Sequence, residues 1–157
     1  MPRFLAPLAL LLAIPVGLSS AAPALAKDRS QHLAAVPLTI TSGNRTIRFR
    51  TEVAKTALQQ EKGLMFHTKL GPAESMIFPM HPPRFASFWM KNTLIPLDIV
   101  FIRPNGTIHR IANARALDLT PVESYEPVSA VLEIAGGRAA RLGLKEGDRV
   151  ASSALPK

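Results

Sequence analysis

The stretch Phe88-Trp89-Met90-Lys91-Asn92-Thr93, followed closely by Asp98, sets an ammonium, an amide and a carboxylate into an otherwise apolar run. Desolvating an unpaired ammonium is costly, so a Lys91 drawn into the fold needs an acid beside it. Asp98, across Pro96, and Glu133, further along the chain, are the candidates. One arrangement of these residues is a binding pocket formed by Trp89, Lys91, Asn92, Asp98 and Glu133. Lys91 would hold an anion there, Asn92 would donate hydrogen bonds, and Asp98 would fix the geometry. The other arrangement is architectural: Asp98 caps a turn while the Lys91 stem lies along Trp89 with its head in water.

A second constellation carries soft donors. After Met1 the methionines are Met65, Met76, Met80 and Met90, interleaved with His67 and His81. Thioether and imidazole suit Cu(I), and a chain without cysteine must use them if it binds copper. The same methionines also read as fillers of irregular core gaps, beside Leu64, Phe66, Ile77 and Phe78. Hydrolytic chemistry has thinner support. Ser87 or Ser124 with His109 and Asp98 would make a triad, and Asp98 with Glu133 a carboxylate pair, yet no G-x-S-x-G elbow anchors either. Phosphate-loop and dinucleotide fingerprints are absent, so no cofactor is expected. These readings point to a binding or accessory protein of the cell envelope. A copper-handling protein and an envelope-polymer hydrolase are the alternatives.

The compartment follows from the first 26 residues. Arg3 precedes an apolar run over residues 4–18, and Ala24-Leu25-Ala26 forms a small-x-small site, which together make a secretory signal peptide with cleavage expected after Ala26. The run is short and broken by Pro7 and Pro15, so no membrane span is expected once the leader is removed. The 157 residues contain no cysteine, which excludes thiol nucleophiles, disulfides and Cys-based zinc sites. Net charge is +8, but the basic residues are scattered without aromatic interleaving. The partner expected is thus an envelope ligand or protein rather than nucleic acid. Oligomeric state is not legible.

The elements that must position these residues read as an all-β chain, a small β-barrel or sandwich-like domain with one or two short helices. Residues 27–36 form a loose arm, 37–152 a single domain, and 153–157 a tail. Strands are expected over 37–41 and 45–53, joined through Ser42-Gly43-Asn44; the second alternates Ile47, Phe49, Thr51 and Val53 with polar residues. Thr56-Ala57-Leu58-Gln59 fits a capping box, opening a short helix that Gly63 ends, with Leu58 and Leu64 toward the core. Residues 79–83, with three prolines, should be irregular. Further strands are expected over 86–93, 97–102, 107–112, 128–134 and 149–151, with a turn at Pro104-Asn105-Gly106 and a helical turn over 138–142.

Three stretches together carry a family resemblance: Gly63-Leu64-Met65-Phe66, the run over residues 88–99, and Val131-Leu132-Glu133 with Gly143-Leu144-Lys145-Glu146-Gly147-Asp148-Arg149-Val150. They resemble the bacterial and archaeal family called domain of unknown function 192, over about residues 37–152. The resemblance implies a compact β-barrel-like domain, commonly behind a signal peptide or anchor, and carries no activity with it.

Overall fold

The computed structural model describes residues 30–156. The expected leader, its cleavage point and residues 27–29 lie outside that range. The strands are β1 (Ala35–Ser42), β2 (Arg45–Val53), β3 (Glu74–Arg84), β4 (Ser87–Phe88), β5 (Leu97–Ile102), β6 (Ile108–Ala114), β7 (Val122–Glu123), β8 (Val128–Ala135) and β9 (Arg149–Ser152), with helices α1 (Ala57–Lys62) and α2 (Arg138–Leu142). Seven strands form one sheet in the order β6-β5-β8-β3-β2-β1-β9, and β4 pairs with β7 in a separate ribbon.

Within the large sheet β2 and β3 run parallel, and the other neighbours antiparallel. Parallel neighbours cannot be joined by a tight hairpin. The chain therefore crosses over through residues 54–73, and α1 rides on that crossover. The capping box forms as the spacing predicts: Gln59 N–H donates to Thr56 Oγ1 at 3.2 Å, and Thr56 N–H donates to Gln59 Oε1 at 3.0 Å.

The chain is mostly β, as its alternation predicts, but the sheet is not closed into a barrel. Its outermost strands approach at one end, where Thr107 bridges Arg149 and Val150 N–H donates to Gly106 O at 2.8 Å. With only four residues, β9 cannot carry that ladder along β6.

Apolar clusters cover both faces of the central strands. Leu38, Ile40, Phe49, Val100 and Leu132 pack on one face with Ala139 of α2. Met76, Phe78, Met80, Ile99 and Phe101 pack on the other, beneath Leu64, Met90 and the flanking loops. Because β5 and β8 are buried on both faces, their sequences read as continuous apolar runs instead of alternating ones.

Four local expectations differ from the structure. Residues 79–83 are extended within β3; prolines cannot donate to a ladder, and regular pairing with β8 lapses between Pro79 and Arg84. The strand expected over 86–93 shrinks to Ser87–Phe88, because Thr93 N–H turns back onto Met90 O at 3.0 Å. Leu58 is exposed, and Leu64 alone of that pair enters the core. The arm is held down in its described part: the Gln31 amide donates to Gln59 O and Gly63 O, and Leu33 N–H donates to Glu52 Oε2.

Candidate functional site

Strand β8 lies between β5 and β3, so a side chain at its middle occupies the centre of the sheet. Glu133 stands there, opposite Met76 on β3 and Ile99 on β5. It is 4% exposed, and its Oε2 has no hydrogen-bond partner among the described residues. Burial without a compensating charge favours the neutral acid. The Glu133 carboxyl is accordingly pushed up from its ordinary 4.5 to about 8. Leaving such a group unpaired costs about 1–3 kcal/mol, and few buried polar atoms are left so.

Glu133 is part of the wall of a cavity of about 350 Å3. Aromatic side chains of Phe78, Phe88 and Trp89 and the thioethers of Met65 and Met80 share that wall, with Glu61, Lys62 and Arg84 also lining it. Phe78 meets Phe88 edge to face, ring centroids 5.1 Å apart. Gly63 ends α1 beside this wall at φ 45°, a conformation that favours glycine, and lies in van der Waals reach of the Phe78 ring.

The loops beside the cavity hold unusual backbone. Phe66, Asn92 and Leu117 have φ of 66°, 56° and 62°, values uncommon for residues with a side chain. They are tied together: Phe66 N–H donates to Asn92 O at 2.8 Å, and Leu117 N–H donates to Thr93 O at 3.0 Å. Met90 N–H donates to Asp118 O at 2.9 Å, completing the junction.

The five residues expected to share a pocket separate into two places. Trp89 and Glu133 line the cavity. Lys91 is exposed, with Nζ 5.1 Å from the Trp89 ring centroid. Asn92 lies close by and its Nδ2 approaches Met65 Sδ at 3.9 Å. Asp98 sits on the opposite face of the sheet, fully buried. It accepts from Gly137 N–H at 2.8 Å, Ala139 N–H at 2.7 Å and Asn113 Nδ2 at 2.6 Å. That carboxylate joins the start of α2 to β6, which is an architectural role.

The methionine and histidine set disperses. Met65 and Met80 line the cavity, whereas Met76 and Met90 are fully buried in the packed cluster. His67 donates from Nε2 to Gln31 O at 2.9 Å, and His81 is exposed on β3. Among the described residues no three His, Asp or Glu side chains group to hold a metal. The hydrolytic sets do not assemble either. Ser124 Oγ donates to Glu126 O and accepts from Ala86 N–H, Ser87 Oγ donates to Glu123, and His109 donates from Nε2 to the Ser124 carbonyl. Asp98 and Glu133 are separated by the sheet itself. Sequence reasoning missed Phe78, Phe85 and Thr93 as cavity residues, because the crossover and the β4 loop bring them together from separate stretches.

Fold and site thus define a small, mostly β domain with an open sheet and a ligand-sized cavity ending on a buried acid. The family described as Uncharacterized ACR, domain of unknown function 192, matches residues 38–152, and the chain belongs to it. Two solved structures are similar over most of their length. One, a protein of unknown function from Novosphingobium aromaticivorans, is 46% identical with a TM-score of 0.75, covering 88% of this chain and 99% of that one. The other, described as a candidate transcription regulator from Sinorhizobium meliloti, is 36% identical with a TM-score of 0.76, covering 78% of this chain and 97% of that one. Among curated proteins none matches this chain.

Proposed function

We propose that this protein is an exported binding protein of the cell envelope that takes a small molecule into the cavity above Glu133. One observation carries the reading: the Glu133 carboxyl at the centre of the sheet is buried, its Oε2 has no hydrogen-bond partner among the described residues, and it is part of a cavity wall. A ligand that completes its hydrogen bonding offsets a cost the free domain bears. The cavity lies within the size range of small-molecule sites, and its lining mixes aromatic and methionine residues with polar and charged ones, among them Glu61, Lys62, Arg84 and Thr93. Export is supported by the basic, apolar and small-residue segments before Lys27. Binding is favoured over hydrolysis because the serine, histidine and acid side chains that catalysis would need are engaged elsewhere. The description of the Sinorhizobium relative would set a nucleic acid against this fold, but the unpartnered acid speaks for a small ligand instead.

The test is a thermal-shift screen of residues 27–157 against small envelope metabolites, Cu(I) and Zn(II), run in parallel on the wild type and Glu133→Gln. Ligands that raise the midpoint of the wild type and not of the variant support the reading. Hits that shift both proteins equally, or none at all, would overturn it.

A further inference from the structure

We infer that the ligand of the Glu133 cavity is a small organic cation, a quaternary ammonium or an amine, held by ring faces and thioethers around its body and by the Glu133 carboxylate at its charge. This rests on the proposed function and specifies its chemistry. Aromatic faces carry negative potential, and a cation enclosed by them is attracted most strongly when it is desolvated. Phe78, Phe88 and Trp89 line the cavity, and Met65 and Met80 add polarisable sulfur. The Trp89 ring already attracts one cation of the chain, with Lys91 Nζ 5.1 Å from its centroid. The organic cation also removes the strain at Glu133, because an opposite charge within reach stabilises the carboxylate that burial otherwise disfavours.

The charged groups around Glu133 bear on the sign of its pH dependence. From β3 comes Arg84, whose guanidinium turns onto Gln60 Oε1 at 3.4 Å, and from α1 come Glu61 and Lys62. The facing residues Met76 on β3 and Ile99 on β5 are apolar, and the cavity's contributions from β4 and the following loop, Ser87, Phe88, Trp89 and Thr93, carry no charge. Glu61 and Lys62 offset each other and Arg84 adds a cation, so an organic cation is held in this cavity only where Glu133 ionises to compensate it. A fixed-charge ligand releases the proton that Glu133 still holds and gains affinity as pH rises. With the carboxyl at about 8, the gain from pH 6 to pH 8 is about fifty-fold.

Choline and its uncharged isostere 3,3-dimethyl-1-butanol separate the possibilities by calorimetry on residues 27–157 at pH 6, 7 and 8. The expected result is choline binding that strengthens about fifty-fold across that range, with nearly one proton released at pH 6 and about half a proton at pH 8, and at least tenfold weaker binding of the isostere. Trp89→Ala should weaken choline at least fivefold with the folded state intact by circular dichroism, and Glu133→Gln should abolish the pH dependence. Equal, pH-independent binding of choline and the isostere overturns the cation assignment while leaving the cavity a small-molecule site. Affinity that falls with pH overturns it in favour of a ligand that accepts a hydrogen bond from neutral Glu133. Choline failing to bind at millimolar concentration also overturns it, whereas failure of the proposed function itself is read from the library screen, where no ligand of any class would depend on Glu133.

Discussion

Replacing Glu133 by glutamine should change how stability depends on pH more than it changes stability at any single pH. The wild-type carboxyl moves from an ordinary 4.5 to about 8 on folding, so between those values the folded chain keeps a proton that the unfolded chain has released. Stability then falls as pH rises: the contribution is intact below about 4.5, declines through the interval, and levels off above about 8. At about 1.4 kcal/mol per unit, the loss between pH 5 and pH 8 is about 3–4 kcal/mol. For a domain of this size that is roughly 10–14 °C of midpoint. Glutamine does not titrate, and its unpaired amide adds a penalty of about 1–3 kcal/mol that is the same at every pH. The assay is Tm against pH for the two proteins in low-salt buffers, taken as the difference between them so that other titrating groups cancel. The variant should lose ground at pH 5 and overtake or approach the wild type at pH 8. Parallel curves, with the difference constant within about 3 °C, would refute the claim that Glu133 is buried and neutral in the free domain.

Three further outcomes are expected. Asp98→Ala leaves the backbone donors of Gly137 and Ala139 and the Asn113 amide without their acceptor, so it should cost about 3–5 kcal/mol in urea denaturation. Gly136→Ala would drive a Cβ to 2.8 Å from Pro96 Cβ and 2.9 Å from Pro96 O; the forced shift should cost about 1–3 kcal/mol in the same assay. N-terminal sequencing of the protein recovered from the envelope fraction should begin at Lys27, and a first residue of Met1 or Pro2 would remove the export proposal.

The strands that alternate were legible from their pattern. In β2, Phe49, Thr51 and Val53 enter the core while Arg48 and Arg50 stay in water, and the capping box and the turn at Gly106 also fall where residue types demand them. The run over 86–93 was not legible, because its apolar residues are gathered by tertiary contacts. Met90 is buried in the packed cluster where its N–H bonds the Asp118 carbonyl and the chain turns through a left-handed Asn92, and no period of two survives that bend. Whether the sheet closes was left open between barrel and sandwich for a related reason: strand count and spacing do not say whether β9 is long enough to follow β6 around. Of the site, Glu133 was visible as an acid in an apolar run, and Trp89 as its neighbour. The separation of Asp98 was not visible, since Asp98 and Glu133 lie on adjacent strands at adjacent levels, and only the pleat sends them to opposite faces.

That pleat also limits what the acid at 133 can be for. Asp98 shows how this fold satisfies a buried carboxylate when the role is architectural: both oxygens engage, with three donors from two neighbouring elements. Glu133 faces Met76 and Ile99, and a methionine or leucine there would fill the same space without desolvating a polar group. Of the four non-glycine residues with positive φ among the described residues, Phe66, Asn92 and Leu117 interlock beside the same cavity and add backbone costs of about 1–3 kcal/mol each, while Tyr125 lies outside its lining. Costs of both kinds, side-chain and backbone, thus gather mainly around one wall of the domain, while the buried Asp98 carboxylate on the other face is fully compensated. An architectural explanation would place the unpaired acid and the strained loops independently of each other. A ligand that pairs with Glu133 and rests against loops held in one conformation accounts for both together.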